Sequence, residues 1–77
     1  MDKPKPDKRY TFVRICDGRV DHTTYTRHKD GSAGFLADNI LYCYRRNAWR
    51  VALDDLAAMG FIEISEAKLL GLLPEDW

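Results

Sequence analysis

Cys16, His22, His28 and Cys43 are the residues of this chain whose chemistry would suit a metal ion. Structural zinc sites usually deliver ligands in close pairs, about two to four residues apart, so that one turn presents both. Here five, five and fourteen residues separate the successive candidates. His22 falls on a segment that reads as a solvated strand, and His28 falls in a turn. The spacing predicts surface histidines and no metal. The two cysteines read as reduced, buried thiols, because a short secreted domain held by disulfides usually carries four or more.

Nucleophilic chemistry has less to stand on. Cys16 borders a turn and faces the strand that carries His22, but no third group orients such a pair. Asp54-Asp55 and Glu75-Asp76 are adjacent carboxylates, which diverge from a helix or a tail. Gly31 and Gly34 have neither the spacing of a phosphate-binding loop nor a strand before them. The chain is expected to be no enzyme and to carry no cofactor.

Two binding chemistries remain. Arg45, Arg46 and Arg50 stand beside Tyr42, Tyr44 and Trp49, and Lys3, Lys5, Lys8 and Arg9 add charge at the start. Arginine beside aromatic rings neutralises phosphate and stacks on bases. Against this, Asp54 and Asp55 share the helix of Arg50, and Arg50 with Asp54 forms an i,i+4 pair. The pI of about 6.7 also falls short of a dedicated nucleic-acid binder.

The second chemistry is protein recognition. Leu69, Leu70, Leu72, Leu73 and Trp77 exceed what a brief last helix needs to close a core, with Leu72, Leu73 and Trp77 as the candidate contacts, and Tyr25 lies on a hairpin. Large aromatic side chains are the usual anchors of interfaces. A hairpin edge offers a further route through strand addition. Net charge is zero, yet residues 1–50 hold eleven Lys/Arg and six Asp/Glu, while residues 51–77 hold one and six. That lengthwise split raises the expectation of a charged partner.

The elements that position these residues follow from pattern. At 77 residues the chain is one domain, of a size that buries about 60% of its unfolded surface. Residues 1–9 are charged and proline-rich and read as a flexible tail. Alternation over residues 10–16, the turn pair Asp17-Gly18 and the threonines of 19–27 predict a β-hairpin over 10–27. After a turn at 28–32, Leu36, Ile40, Cys43 and Tyr44 recur at helical spacing, and a helix is expected there. Residues 40–44 are also good strand material, so a third strand is the alternative.

Trp49, Ala52, Leu53, Leu56 and Ala57 recur along one helical face, with Asn47 as cap and Gly60 as terminator, which predicts a helix over 48–59. A short strand follows at 61–64, then a brief helix capped by Ser65. The expected fold is α+β: an N-terminal β-hairpin packed on two or three short helices, with a short strand between the last two. The order helix, helix, short strand resembles part of a winged helix, with residues 48–59 in the recognition position. No apolar run approaches the roughly 20 residues that cross a bilayer, and no apolar h-region follows Met1. The chain is therefore expected to be cytoplasmic and to bind a protein or a second copy of itself. DNA binding through Arg45, Arg46, Arg50, Lys5, Lys8 and Arg9 is the alternative.

Overall fold

The computed structural model describes residues 3–77. Its elements are β1 (Arg9–Cys16), β2 (Arg19–Arg27), β3 (Ala33–Ala37), β4 (Ile40–Tyr44), α1 (Trp49–Ala58), β5 (Ile62–Glu63) and α2 (Ile64–Leu69). The strands form one antiparallel sheet in the order β4-β3-β2-β1-β5. The fold class expected from sequence is thereby corrected. The chain is a five-stranded sheet with two short helices, and not a single hairpin on two or three helices.

The correction lies in residues 33–44, where the expected helix is a second hairpin. Asp38 and Asn39 take φ of 52° and 63° and form its two-residue turn. Asp and Asn tolerate this left-handed backbone better than other side-chain residues, so they make tight hairpin turns. Phe35 and Ala37 on β3 then alternate with Tyr42 and Tyr44 on β4, all turned towards α1. The helical spacing of Leu36, Ile40, Cys43 and Tyr44 was coincidental. The alternative strand at 40–44 is what forms, and with a hairpin in place of the first helix the winged-helix order disappears.

Side-chain alternation gives the sheet two working faces. Phe12 and Tyr25 point to the first, where they join Ala33, Phe35 and Ala37 beneath Ala52 and Leu56 of α1. Val13 points to the second, where it meets Ala67 of α2 and Leu73. Tyr25 is the largest fully buried side chain, and its hydroxyl donates to the Trp49 carbonyl at 2.9 Å. Its edge-on contact with Phe12, at 5.9 Å between ring centroids, locks the centre of the first layer.

Both helices end in the same backbone motif. Gly60, at φ 93°, lets the Phe61 amide donate to the Leu56 carbonyl and the Gly60 amide to that of Ala57. Gly71 does the same for α2, through Leu72 to Ala67 and Gly71 to Lys68. At the start of α1, Asn47 is not the expected cap. It takes φ 65° itself, and no side chain caps the helix. In α2 the cap is Glu63, whose carboxylate accepts from the Ser65 amide at 2.8 Å.

Arg14 ties separate parts of the chain together. Its guanidinium donates to Asp21 at 3.0 Å and to Asp38 at 2.8 Å, and it lies over the Phe61 ring at 4.5 Å. It also reaches the Met59 carbonyl at the C-terminal end of α1, where a cation opposes the helix dipole. The turn of the second hairpin is thus pinned to β1, β2 and α1. Asp38 is held below the usual carboxylate range by its hydrogen bond to Arg14.

Of the stretch read as a tail, Met1 and Asp2 lie outside the described residues. Pro4 is buried and its carbonyl accepts from Arg27, while the Asp7 amide donates to the Arg27 carbonyl. Among the described residues, no helix is long and apolar enough to cross a membrane.

Burial pushes the Tyr25 phenol up to about 12 from 10.0. The unfolded chain therefore releases that proton before the folded chain does, and stability falls as pH rises through this window. Tyr25→Phe should cost about 1 kcal/mol at neutral pH, the net worth of one hydrogen bond. It should also flatten the alkaline fall in stability, as read by urea titration at a series of pH values.

Candidate functional site

The second hairpin presents features that the rest of the molecule hides. Strand β4 is an outer strand of the sheet, paired only with β3. In a hairpin with a two-residue turn, the closing pair Ala37–Ile40 exchanges backbone hydrogen bonds, and pairing then alternates. Ile40, Tyr42 and Tyr44 are spent on β3. The N–H and C=O groups of Leu41 and Cys43 face outward, with no strand beside them among the described residues.

The face beside this edge is also open. The helices cover the sheet elsewhere, but α2 packs over β1 and β5. Leu36 and Leu41 stand on that face at 57% and 68% exposure, and Cys43 beside them is exposed. With Thr24 and Thr26 of β2 they line a shallow depression of about 620 Å³, rimmed by Arg9 and His28. β2 pairs with β3 only at Thr26–Gly34 and Arg27–Ala33. Towards the Asp38-Asn39 turn the strands part, and the Thr23 hydroxyl donates to the Leu36 carbonyl instead.

The residues named from sequence fall in different places. Tyr25 and Leu73 are core residues, buried in the first and second layers. Leu72 and Trp77 are exposed, at 47% and 46%, with the Trp77 ring set edge-on to His22 at 6.5 Å. Leu69 and Leu70 are exposed beside them. The sequence reading missed Leu36 and Leu41, because a helix would have turned Leu36 towards the core. The Asp38-Asn39 pair was the signal that would have exposed them.

The basic residues do not share one face. Arg9 borders the open face, whereas Arg50 lies on the α1 side. Arg45 and Arg46 sit exposed in the turn after β4. Lys5 donates its amide to the Tyr10 hydroxyl, and the Lys8 ammonium lies over the Tyr10 ring at 5.2 Å. A tighter group surrounds Trp49: Lys3, Arg27 and Arg50 lie over its ring at 5.9, 5.4 and 5.2 Å. Arg27 was not anticipated. It is buried, and its Nε has no partner among the described residues.

The lengthwise charge split does not survive folding there. Lys3 and Arg50 line a groove of about 770 Å³ together with Asp54, Glu63 and Glu66. The Tyr44 hydroxyl likewise donates to Asp55 at 2.6 Å, which joins β4 to α1; burial, aided by this hydrogen bond, raises the Tyr44 phenol.

The potential metal ligands stand apart. Cys16 lies at the end of the first hairpin, His22 beside Trp77, and Cys43 on the open face. His28 Nδ1 is 3.6 Å from an Asp7 carboxylate oxygen. Among the described residues, no three His, Cys, Asp or Glu side chains gather where they could hold an ion. Both thiols are exposed, which corrects the expectation that they are buried. Cys43 alternates to the solvent side of a strand, where a helix would have carried it inward.

The two faces of the second hairpin should respond differently to mutation. Phe35→Ala should cost about 3–5 kcal/mol, since it empties a core position. Leu41→Lys should change stability by less than about 0.5 kcal/mol. Denaturant titration of the two variants checks this, and equal costs would mean that Leu41 is packed. No protein-family model, curated protein or solved structure matches this chain, so its functional reading starts from this open strand and face.

Proposed function

We propose that this chain is a small non-catalytic module that binds a protein segment through the β4 edge and the adjoining face. The observation that carries the reading is the combination at residues 36–43. An unpaired backbone edge and exposed leucines occur together, on a hairpin pinned at its turn by Arg14. Strand addition draws affinity from main-chain hydrogen bonds and specificity from alternate side chains, and both are offered here. The occupant would be an extended segment with apolar residues at alternate positions, packed over Leu36 and Leu41.

The charge split, Tyr25 and Leu73 have no part in this binding, because folding mixes the charges and buries both side chains. Leu72 and Trp77 are a separate exposed group near α2 and stay a secondary contact in the proposal. The cluster of Lys3, Arg27 and Arg50 around Trp49 favours a second reading, in which a single-stranded nucleic acid stacks there. Asp54, Glu63 and Glu66 in the same groove weigh against it, because carboxylates repel phosphate.

Selection from a library of displayed random peptides tests both readings. Enriched peptides should be extended and alternately apolar, and should shift the NMR signals of Leu41 and Cys43. A fluorescence titration with single-stranded DNA at low and high salt forms the second arm. Salt-sensitive binding that perturbs Trp49, together with no peptide enrichment, would overturn the protein-binding reading.

A further inference from the structure

We propose that the occupant of the β4 edge is β4 of a second copy of this chain, paired antiparallel so that two five-stranded sheets become one. The inference rests on the reading of that edge as a protein-binding surface and names the partner.

Charge selects this partner and its direction. The five residues of β4 carry no charge, so two copies of the strand meet without repulsion. The flanks are opposite in sign: Asp38 precedes the strand, and Arg45 and Arg46 follow it. Antiparallel pairing brings the acidic turn of each copy against the arginines of the other, twice by symmetry. Parallel pairing would set arginines against arginines and Asp38 against Asp38.

Hydrogen-bond parity fixes the register. Outward groups must face outward groups, and those on β4 belong to Leu41 and Cys43. The alignment with greatest overlap is centred on Tyr42, with Leu41 opposite the other copy's Cys43 and Ile40 opposite its Tyr44. Each Leu41–Cys43 pair exchanges two bonds, about four in all. In this register Asp38 lies opposite the other copy's Arg46.

The same alignment accounts for the apolar exposure of β4. Ile40, 53% exposed at the margin of the α1 face, gains the other copy's Tyr44 as a neighbour. On the opposite face, Leu36, Leu41 and Cys43 of the two copies meet across the join and form one continuous patch. A single short strand buries less than the roughly 800 Å² per partner of a standard interface. Association is therefore concentration-dependent, with monomer at low micromolar and dimer at high micromolar protein.

Sedimentation velocity over that range is the test. The wild-type chain should pass from monomer to dimer. Leu41→Pro should stay monomeric with an unchanged far-UV circular dichroism spectrum, because the outward amide it removes makes no bond to β3. If Leu41→Pro fails to fold, a nitroxide on Cys43 in Cys16→Ser decides the matter. Dipolar broadening that grows with concentration is expected there, but not for a nitroxide on Cys16 in Cys43→Ser.

A wild-type chain that stays monomeric throughout, or a dimer that survives Leu41→Pro, would overturn the proposal. So would broadening from the Cys16 label alone. A monomeric chain whose Leu41 and Cys43 signals still shift with displayed peptides removes self-pairing and leaves the protein-binding reading intact. Absence of both removes the two together.

Discussion

A sheet has two faces, and this chain has two short helices with which to cover them. That constraint governs the rest of the structure. Successive side chains of β1 go opposite ways, so Phe12 needs a layer on one side and Val13 a layer on the other. The ten residues of α1 close the first face, with Ala52 and Leu56 set over Phe12, Tyr25 and Phe35. The six residues of α2, with Leu73, close the second face only around β1 and β5. Nothing in the described chain extends over the same face of β3 and β4. The uncovered leucines, Leu36 on β3 and Leu41 on β4, sit on the two strands farthest from α2 in the sheet order.

The two outer strands handle their free edges differently. β5 has two residues, too short to template another strand. β4 has five residues, with no proline and no charge. Proteins usually blunt such an edge with lysine, proline, a bulge or a covering segment. Here the hairpin is instead held firmly: Arg14 grips Asp38 at its turn, Tyr44 bonds Asp55 of α1, and Tyr42 stacks on Phe35 at 4.9 Å between centroids. A rigid, unprotected edge is poor protection against association, but it is well suited to binding another strand.

The legible parts of the fold were those where local chemistry and tertiary packing agree. Asp17-Gly18 forms the tight turn of the first hairpin, with φ of 52° and 76°. Trp49, Ala52, Leu53 and Leu56 form the inner face of α1, and Gly60 ends it as its position implied. The second hairpin was illegible to periodicity because Leu36, Ile40, Cys43 and Tyr44 fit a helical face by chance. Only the turn chemistry of Asp38-Asn39 separates the two readings, because both residues tolerate the left-handed backbone that a two-residue hairpin turn needs. The helical reading carried Cys43 inward and hid Leu36. It also left Tyr25 looking like a spare aromatic, although it needs Phe35 and α1 around it to be buried. Arg27 was invisible for another reason: its burial depends on Pro4 and Trp49, which are distant in sequence.

Strand β4 is a hairpin strand whose outer hydrogen-bonding groups are free among the described residues. Amide exchange, followed by NMR in dilute protein, reads this residue by residue. Alternation is expected: slow exchange at Ile40, Tyr42 and Tyr44, which bond to β3, and fast exchange at Leu41 and Cys43. Uniform protection from 40 to 44 would contradict it, whether a helix or a covering segment were the cause.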